Sequence, residues 1–284
     1  MSESSAQAER VQVGCQGWNY DDWVTPPAAP AHVFYPHGTR PNAMLEFYAR
    51  AFDTVEVDST FYAVPADATV DQWLRRTPPA FTFSLKLPQA ITHEAGLRTE
   101  GDETLASFCA AARRLGDKLG VVLVQLPPQF EATAEHVGAL ESFLPRLPRD
   151  VRFAVEFRHD SWARTETAEL LARHNVTVAL VEGQWIARRT LWQIFAAAPA
   201  DFAYVRWMGA RDITRFDQVV RPRDRNLDLW RAAITRLCER GTHVYAYFSN
   251  YYEGHAPASA NKLKRLLGQA PVAPAELADQ PSLF

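Results

Sequence analysis

Alternation of apolar and polar residues predicts short strands along the chain, most clearly in the segment 152–162. Aromatic and aliphatic residues occupy one face of this segment at period two, whereas Glu156 and Arg158 occupy the other face. A polar loop begins at His159, and the large aromatic Trp162 closes it. An apolar face, a charged face and a polar loop at the C-terminal end are typical of a strand at the active end of a (β/α)8 barrel.

The same pattern over the whole chain predicts eight strands that alternate with helices. The predicted strands are 11–15, 54–58, 81–87, 120–126, 152–157, 176–181, 202–207 and 243–248. Such alternation favours parallel strands joined by right-handed crossovers. Eight units, with no GxGxxG after the first strand, favour a closed barrel over an open doubly wound sheet. The predicted fold class is α/β, with a single (β/α)8 TIM-barrel-like domain and a flexible C-terminal tail.

The predicted domain boundaries follow from shifts in composition. Residues 1–10 are polar and rich in Ser and Ala, and we expect a disordered leader there. Residues 11–269 carry the strand and helix pattern and form the predicted barrel domain. From 270 to 284 the chain is rich in Ala, Pro and Glu, which predicts a flexible tail.

Five predicted strands place charged or amide side chains inward near their C-terminal ends. These residues are Glu56, Asp58, Lys86, Gln125, Glu156, Arg158 and Arg206. Isolated buried charges are very costly, so the groups must pair with one another, with a ligand or with water. One interpretation is a buried network that neutralises itself. We favour a ligand site, because barrels usually fill their lower layers with aliphatic residues and place polar groups at the mouth.

Loops after the strands add candidates for ligand contact. Together with the inward residues, the predicted substrate-binding set is Trp18, Tyr20, Asp58, Tyr62, Lys86, His93, Gln125, Arg158, Trp162, Arg206 and Asn250. Arginine and lysine suit a phosphate or carboxylate, which they hold in a fork or as a point charge. The candidate catalytic groups are Glu56, Glu156 and His159, as acids or bases.

Two other chemistries stay open at this point. A glycoside hydrolase would use Glu56 and Glu156 across a mouth where Trp18 and Trp162 serve as sugar platforms. A divalent metal could bind His93, His159 and His255 together with Glu156. No HxH or HExxH spacing supports such a site, so a metal is not favoured and the cofactor is unknown.

Composition and charge narrow the function classes. The formal net charge of −3 argues against a positive electrostatic field over the whole protein that would attract nucleic acid. It leaves room for a local basic patch. Cys15, Cys109 and Cys238 lie far apart without a CxxC motif, which suits a reducing compartment. No apolar signal or membrane-spanning run is visible, so we expect a cytoplasmic protein with no membrane partner.

Several motifs along the chain carry a family resemblance. They are Gly14-Cys-Gln-Gly-Trp-Asn-Tyr20, Thr54-Val-Glu-Val-Asp-Ser-Thr-Phe-Tyr62, Phe83-Ser-Leu-Lys-Leu-Pro88 with Ile91-Thr-His93, Leu115-Gly-Asp-Lys-Leu-Gly120, Val124-Gln-Leu-Pro-Pro128, Glu156-Phe-Arg-His-Asp-Ser-Trp162 and Tyr204-Val-Arg206. Their order and types resemble the YecE-like family, domain of unknown function 72. The resemblance implies a TIM-barrel-like fold and no agreed reaction. Two departures stand at Met208, where many members have His, and at Ser249, which replaces an amide.

The last five residues, Gln-Pro-Ser-Leu-Phe, resemble the peptide with which bacterial DNA repair and replication proteins dock on the sliding clamp. Gln280, Leu283 and Phe284 would supply one polar and two apolar anchors for a groove. Pro281 departs from the more usual Leu. The leading hypothesis is an enzyme, a hydrolase of phosphodiesters or related bonds, that acts on a phosphate-bearing or nucleic-acid-related substrate at the barrel mouth. A non-catalytic adaptor tethered to the DNA sliding clamp is the remaining alternative.

Overall fold

A nearly closed ring of parallel strands organises the protein, whose computed structural model describes residues 10–29, 31–197 and 200–279. The strands are β1 Val11–Gln16, β2 Thr54–Val57, β3 Thr82–Lys86, β4 Leu119–Gln125, β5 Arg152–Glu156, β6 Val176–Val178, β7 Leu180–Glu182, β8 Phe202–Trp207 and β9 His243–Phe248. Their order in the sheet is β6-β5-β4-β3-β2-β1-β9-β8-β7. Neighbours in the ring therefore follow the chain, as in a barrel built from repeated βα units.

The ring comes together at the strand predicted for residues 176–181, which the structure divides at Ala179. Its first half, β6, pairs with β5, and its second half, β7, pairs with β8. The amide of Ala179 donates a hydrogen bond to the carbonyl of Val155 at 2.8 Å. One short segment thus contacts both ends of the sheet, so the eight predicted strands are present with one of them interrupted. The TIM-barrel-like α/β fold is confirmed.

Helices cover the outside of the ring. They are α1 Pro41–Ala51, α2 Asp67–Arg75, α3 Asp102–Arg113, α4 Ala134–Phe143, α5 Thr165–Ala172, α6 Arg188–Ala197, α7 Asp224–Glu239, α8 Asn250–Glu253, α9 Ala256–Leu266 and α10 Pro274–Asp279. Proline at the first position of α1 suits a helix start, because its missing N–H would have no partner there. Within the described residues, no helix combines the length and the apolar character needed to cross a bilayer.

The interior of the ring below the mouth differs from the expected aliphatic filling. Tyr247 lies there fully buried, and its hydroxyl is 2.7 Å from Oγ1 of Thr54 and 2.8 Å from Oγ of Ser84. The aliphatic residues instead cover the outer face of the strands, as Val55 and Leu85 do against the helices. Hydroxyl groups can fill a narrow barrel because they satisfy one another's hydrogen bonds away from water.

The segment assigned to the tail contains one ordered element. Helix α10 begins at Pro274, and its Leu277 is completely buried. A single apolar anchor of this kind is difficult to recognise in a stretch whose composition is dominated by Ala, Pro and Glu. The predicted clamp-docking residues Gln280, Leu283 and Phe284, and residues 1–9 of the predicted leader, lie outside the described residues.

Candidate functional site

The inward polar side chains form a connected cluster, which we call the polar ring and which consists of Glu56, Asp58, Lys86, Gln125, Glu156, Arg158, Tyr204 and Arg206. Arg206 lies at its centre and contacts two carboxylates. Its Nε donates to Oε2 of Glu56 at 2.8 Å, and its Nη2 donates to Oε1 of the same residue at 2.7 Å. Its Nη1 donates to Oε2 of Glu156. All three side chains are almost completely excluded from solvent. A planar guanidinium with several fixed donors suits this bridging position, which a lysine could not fill.

Arg158 and Gln125 extend the ring on the side of β4 and β5. Nε of Arg158 donates to Oε1 of Glu156 at 2.6 Å, and its Nη2 donates to Oε1 of Gln125 at 2.8 Å. The same Gln125 oxygen is 3.4 Å from Nη1 of Arg206. Gln125 and Glu156 are register partners on adjacent parallel strands, which explains why their inward side chains meet at one level.

Tyr204, Lys86 and Asp58 complete the ring on the side of β2, β3 and β8. The Tyr204 hydroxyl donates to Oε2 of Glu56 at 2.7 Å. Nζ of Lys86 is 3.4 Å from Oε1 of Glu56 and donates to Oδ1 of Asp58. Glu56 therefore faces a guanidinium, a phenol and an ammonium, whereas Asp58 has Lys86 as its one hydrogen-bond donor among the described residues.

The paired charges of the polar ring determine the protonation states of its members. Burial alone would raise the pKa of Glu156, but the charges of Arg206 and Arg158 outweigh burial and lower it to about 2. Burial opposes the charged form of Arg206, yet Glu156 and Glu56 raise its pKa. Burial and the charge of Glu56 raise the pKa of Tyr204. At neutral pH, Glu156 is thus a carboxylate, Arg206 is a cation and Tyr204 is a neutral donor.

A cavity of about 190 Å³ lies above the ring at the C-terminal mouth. Its lining residues are Gln16, Tyr20, Asp58, Phe61, Tyr62, Lys86, Gln125, Arg158, Met208, Arg211, Ser249 and Tyr251. Glu56, Glu156 and Arg206 are absent from this lining, because they form the layer beneath it. Asp58 is the one carboxylate in the wall, and 36% of its side chain is exposed. The mouth is the place where barrel enzymes carry their chemistry.

A second cavity of about 360 Å³ adjoins the first and shares Arg158, Met208 and Arg211 with it. Its other lining residues are Pro128, Gln184, Trp185 and Gly209. The two cavities are therefore adjacent, and we call them together the cleft: its smaller, charged end lies over the ring, and its larger, wide end lies towards the loop after β7.

The loop after β8 carries Met208 and Arg211 over the cleft. Gly209 permits its path, because a Cβ at this position would lie 1.8 Å from the carbonyl oxygen of Tyr251. Met208, the departure from the family pattern, is a half-buried residue of the cleft wall, and its sulfur is 3.1 Å from Nε2 of Gln16. At that position methionine offers a soft apolar surface in place of a titratable ring.

The structure brings two of the predicted aromatic residues to the cleft. Tyr20 lines it and donates its hydroxyl to the carbonyl of Gln16 at 3.0 Å. Burial, followed by the charge of Asp58, raises the pKa of Tyr20, which keeps the phenol neutral. Tyr62 also lines the cleft, with 73% of its surface exposed.

Three other predicted aromatic or amide residues do not line the cleft. Trp162 is buried and stacks on Phe157, with 4.8 Å between the ring centroids. It donates its indole N–H to the carbonyl of Phe130. Trp18 packs edge-on against Trp73 at 6.1 Å. Asn250 is buried, and its Oδ1 accepts from the indole of Trp23 at 3.1 Å. Each of these side chains has a packing role that the sequence pattern alone does not distinguish from ligand contact.

The predicted histidines are also separate from the ring. Nδ1 of His159 is 2.8 Å from Oγ of Ser161, in the turn that follows β5. His93 is exposed at the rim, and partial burial together with the charge of Arg158 lowers its pKa. His255 is buried beside Trp23, and burial lowers its pKa to about 4. Among the described residues, no three His, Cys, Asp or Glu side chains are grouped so that they could hold a metal ion.

Sequence reasoning missed several residues of the site. The alternation places Tyr204 inward, on the same strand face as Arg206, but the predicted site set does not include it. Arg211, Trp185 and Tyr251 lie outside the strands, where no periodicity indicates which side chains face the mouth.

Comparison with known proteins relates this site to a family. A family model described as "Protein of unknown function DUF72" matches residues 12–282. UPF0759 protein YunF of Bacillus subtilis (strain 168) is 24% identical over 278 residues, which cover 90% of this chain and 94% of that protein. UPF0759 protein YecE of Escherichia coli (strain K12) is 30% identical over 164 residues, which cover 57% of this chain and 54% of that protein.

Solved structures show the same relationship. A DUF72 family protein from Thermotoga maritima matches with a TM-score of 0.75 at 28% identity, covering 91% of this chain and 99% of that one. Another DUF72 family protein, from Enterococcus faecalis V583, matches in fold with a TM-score of 0.72 at 17% identity. The match covers 96% of this chain and 99% of that one. The motif resemblance is confirmed by the model match over most of the sequence, and the chain belongs to the DUF72 family.

Proposed function

We propose that this protein is a hydrolase that binds a phosphate-bearing substrate in the cleft at the barrel mouth. The observation that supports this is the separation of charges between two layers. Lys86, Arg158 and Arg211 line the cavity, whereas the carboxylates Glu56 and Glu156 lie beneath it. The surface that meets a ligand is therefore cationic although the ring as a whole is balanced.

The excess of cations in the wall favours an anionic ligand, because Lys86 pairs with Asp58 and Arg158 pairs with Glu156, which leaves the charge of Arg211 uncompensated. Three cationic side chains face one carboxylate, that of Asp58, in the lining of the inner cavity. Arg211 has no ion-pair partner within the described chain, and Nη1 of Arg158 donates no hydrogen bond there. Guanidinium groups with free N–H donors match the oxygens of a phosphate in both charge and geometry.

Asp58 is the group that we assign to acid–base chemistry. Lys86 donates to its Oδ1, whereas its Oδ2 accepts no hydrogen bond from the described residues. In the proposed step, a water oxygen attacks phosphorus, its proton passes to Asp58 Oδ2, and the bond from phosphorus to the leaving oxygen breaks. The leaving oxygen takes a proton from solvent at the open mouth. A positioned general base of this kind contributes about 10²- to 10⁴-fold to a rate.

Glu56 and Glu156, the predicted catalytic pair, then serve as positioning residues. Both oxygens of each carboxylate already accept hydrogen bonds from the ring. A glycoside hydrolase would need its two carboxylates and its tryptophan platforms in the cleft wall, whereas Glu56, Glu156, Trp18 and Trp162 do not line either cavity. This geometry favours the phosphate chemistry over the carbohydrate alternative.

The test is turnover of phosphate esters by the whole chain. Phosphomonoesters and phosphodiesters of p-nitrophenol would be assayed with and without EDTA, and with added Mg²⁺, Mn²⁺ or Zn²⁺. We expect Asp58→Asn to lower kcat at least a hundredfold and Arg158→Ala to raise KM. Arg113→Ala, on an exposed ion pair away from the mouth, is the matched control. Turnover that neither cleft variant changes would refute the site.

We also propose that Gln280, Leu283 and Phe284 bind the bacterial DNA sliding clamp, which would place the protein in the cytoplasm near DNA. The support is the sequence of the peptide together with helix α10, whose buried Leu277 attaches the preceding segment to the barrel. Calorimetric titration of purified clamp with the intact chain and with a 280–284 deletion would test it. Binding that survives the deletion would contradict the assignment, and clamp binding without any turnover would favour the adaptor alternative.

A further inference from the structure

The wide end of the cleft carries an exposed tryptophan that makes no aromatic ring contact with the described residues. Trp185, in the loop after β7, is 39% exposed and lines the second cavity. It forms no ring contact and no hydrogen bond within the described part of the chain. By contrast, Trp23, Trp162, Trp207 and Trp230 are fully buried. A large exposed aromatic surface is more informative than a buried one, because exposure of this kind marks binding sites.

The two exposed large aromatic side chains of the described residues both belong to the cleft. They are Tyr62, which lines the inner cavity, and Trp185, which lines the outer one. The remaining exposed large hydrophobics are the aliphatic residues Val220, Leu229 and Leu266, and none of them lines either cavity. Among the described residues, the most exposed aromatic side chains thus lie where the cations converge.

We infer that the substrate is a nucleotide whose phosphate lies on Arg158 and Arg211 and whose base stacks on Trp185. Both arginines line the inner and the outer cavity, so one ligand can contact them from either side. Gln184, exposed beside Trp185, offers an amide that can donate to and accept from the edge of a base. An aromatic platform next to a cationic groove is the usual arrangement for unpaired nucleotides.

The sizes of the cavities fit this division of roles. The inner cavity of about 190 Å³ is smaller than the sites that hold drug-sized ligands, whereas the outer one of about 360 Å³ reaches that range. A phosphate group suits the smaller, charged space, and a ribose with its base suits the larger one. The inference rests on the proposed function, which supplies the phosphate site.

Isothermal titration of the full chain with 5′-AMP, ribose 5-phosphate and inorganic phosphate would test the base subsite. Stacking of one base on an aromatic side chain predicts that 5′-AMP binds about ten- to a hundredfold more tightly than ribose 5-phosphate. Trp185→Ala would reduce the affinity for 5′-AMP to that for ribose 5-phosphate, and would leave ribose 5-phosphate unchanged. Leu229→Ala, another exposed apolar residue, would change neither affinity.

The outcomes separate this inference from the proposed function. If ribose 5-phosphate binds and depends on Arg158, but 5′-AMP binds no more tightly, the base subsite is overturned and the phosphate site stands. If no phosphate compound binds, the proposed function itself fails. A short single-stranded oligonucleotide, (dA)6, distinguishes the source of the nucleotide. Tighter binding of (dA)6 than of 5′-AMP indicates a single-stranded nucleic acid as the substrate, and tighter binding of 5′-AMP indicates a free nucleotide. Either preference supports the inference only if Trp185→Ala abolishes that preference.

Discussion

Arg206 and Glu56 form a two-point ion pair inside the barrel, with Nε to Oε2 at 2.8 Å and Nη2 to Oε1 at 2.7 Å, and neither side chain is exposed to solvent. The guanidinium also bonds Glu156, so a single cation neutralises parts of two carboxylates. Buried pairs of this kind are expensive to form, and removing one partner leaves an uncompensated charge. The stability of the polar ring therefore depends on each of its charged members.

We expect Arg206→Ala to lower the free energy of unfolding by about 3–5 kcal/mol, because the two buried carboxylates would lose the cation they share and would keep only Lys86 for Glu56 and Arg158 for Glu156. Urea unfolding followed by circular dichroism measures this change. Arg113→Ala, which removes an exposed ion pair with Asp150, serves as the control and should leave stability almost unchanged. Equal effects of the two substitutions would show that the ring contributes nothing special to the fold.

Acid should destabilise the protein through Glu156 in a defined pH window. The pKa of this carboxyl is about 2 in the folded protein, below its ordinary value of 4.5, so the unfolded chain binds the proton more tightly. Its contribution of about 3 kcal/mol is therefore complete above pH 4.5 and is lost as the pH falls towards 2. Urea unfolding at intervals between pH 6 and pH 2.5 measures the slope of the free energy of unfolding against pH. Glu156→Gln should flatten it, and an unchanged slope in that variant would contradict the lowered pKa.

Tyr204 should contribute to stability through its hydrogen bond to a charged partner. Tyr204→Phe removes the hydroxyl that donates to Glu56 at 2.7 Å, and hydrogen bonds to charged groups are worth about 1.5–3 kcal/mol. Tyr62→Phe removes a hydroxyl from an exposed ring and should leave the free energy of unfolding unchanged. The two variants differ from wild type by the same atom, so a similar result for both would mean that the Glu56 contact is not stabilising.

Strand alternation in the sequence is sufficient to predict most of the ring. Glu56, Gln125, Glu156 and Arg206 project inward because neighbours in a strand point to opposite faces, and parallel strands bring their C-terminal ends together. The same rule cannot predict which partner each side chain chooses. The position along β2 does place Asp58 nearer the mouth than Glu56, but alternation does not predict that Glu56 and Glu156 are excluded from the cavity wall.

Loop residues are less predictable, because their directions depend on long-range packing. Trp162 and Trp185 both follow strands, but the sequence pattern predicts ligand contact for Trp162 and gives no such signal for Trp185. Packing decides between them: Trp162 stacks on Phe157 inside the core, whereas Trp185 stays at the surface of the cleft. The interruption at Ala179 is similarly hidden in the sequence, because it depends on each half of that strand pairing with a different neighbour.

Gly209 should be irreplaceable for the loop that covers the cleft. A Cβ there would lie 1.8 Å from the carbonyl oxygen of Tyr251, which is backbone and cannot rotate away. Gly209→Ala should displace the loop that carries Met208 and Arg211, and so weaken binding of inorganic phosphate and lower the melting temperature. Calorimetric titration and thermal unfolding measure the two effects.

Gly138→Ala provides the matched control for this substitution. Gly138 lies within helix α4, and a Cβ there would meet no atom within 4 Å. Alanine is favoured over glycine inside a helix by about 0.5–1 kcal/mol, so this variant should unfold at a slightly higher temperature and bind phosphate like the wild type. Normal phosphate binding by the Gly209→Ala variant would show that the path of the loop does not shape the site, because the two substitutions add the same methyl group.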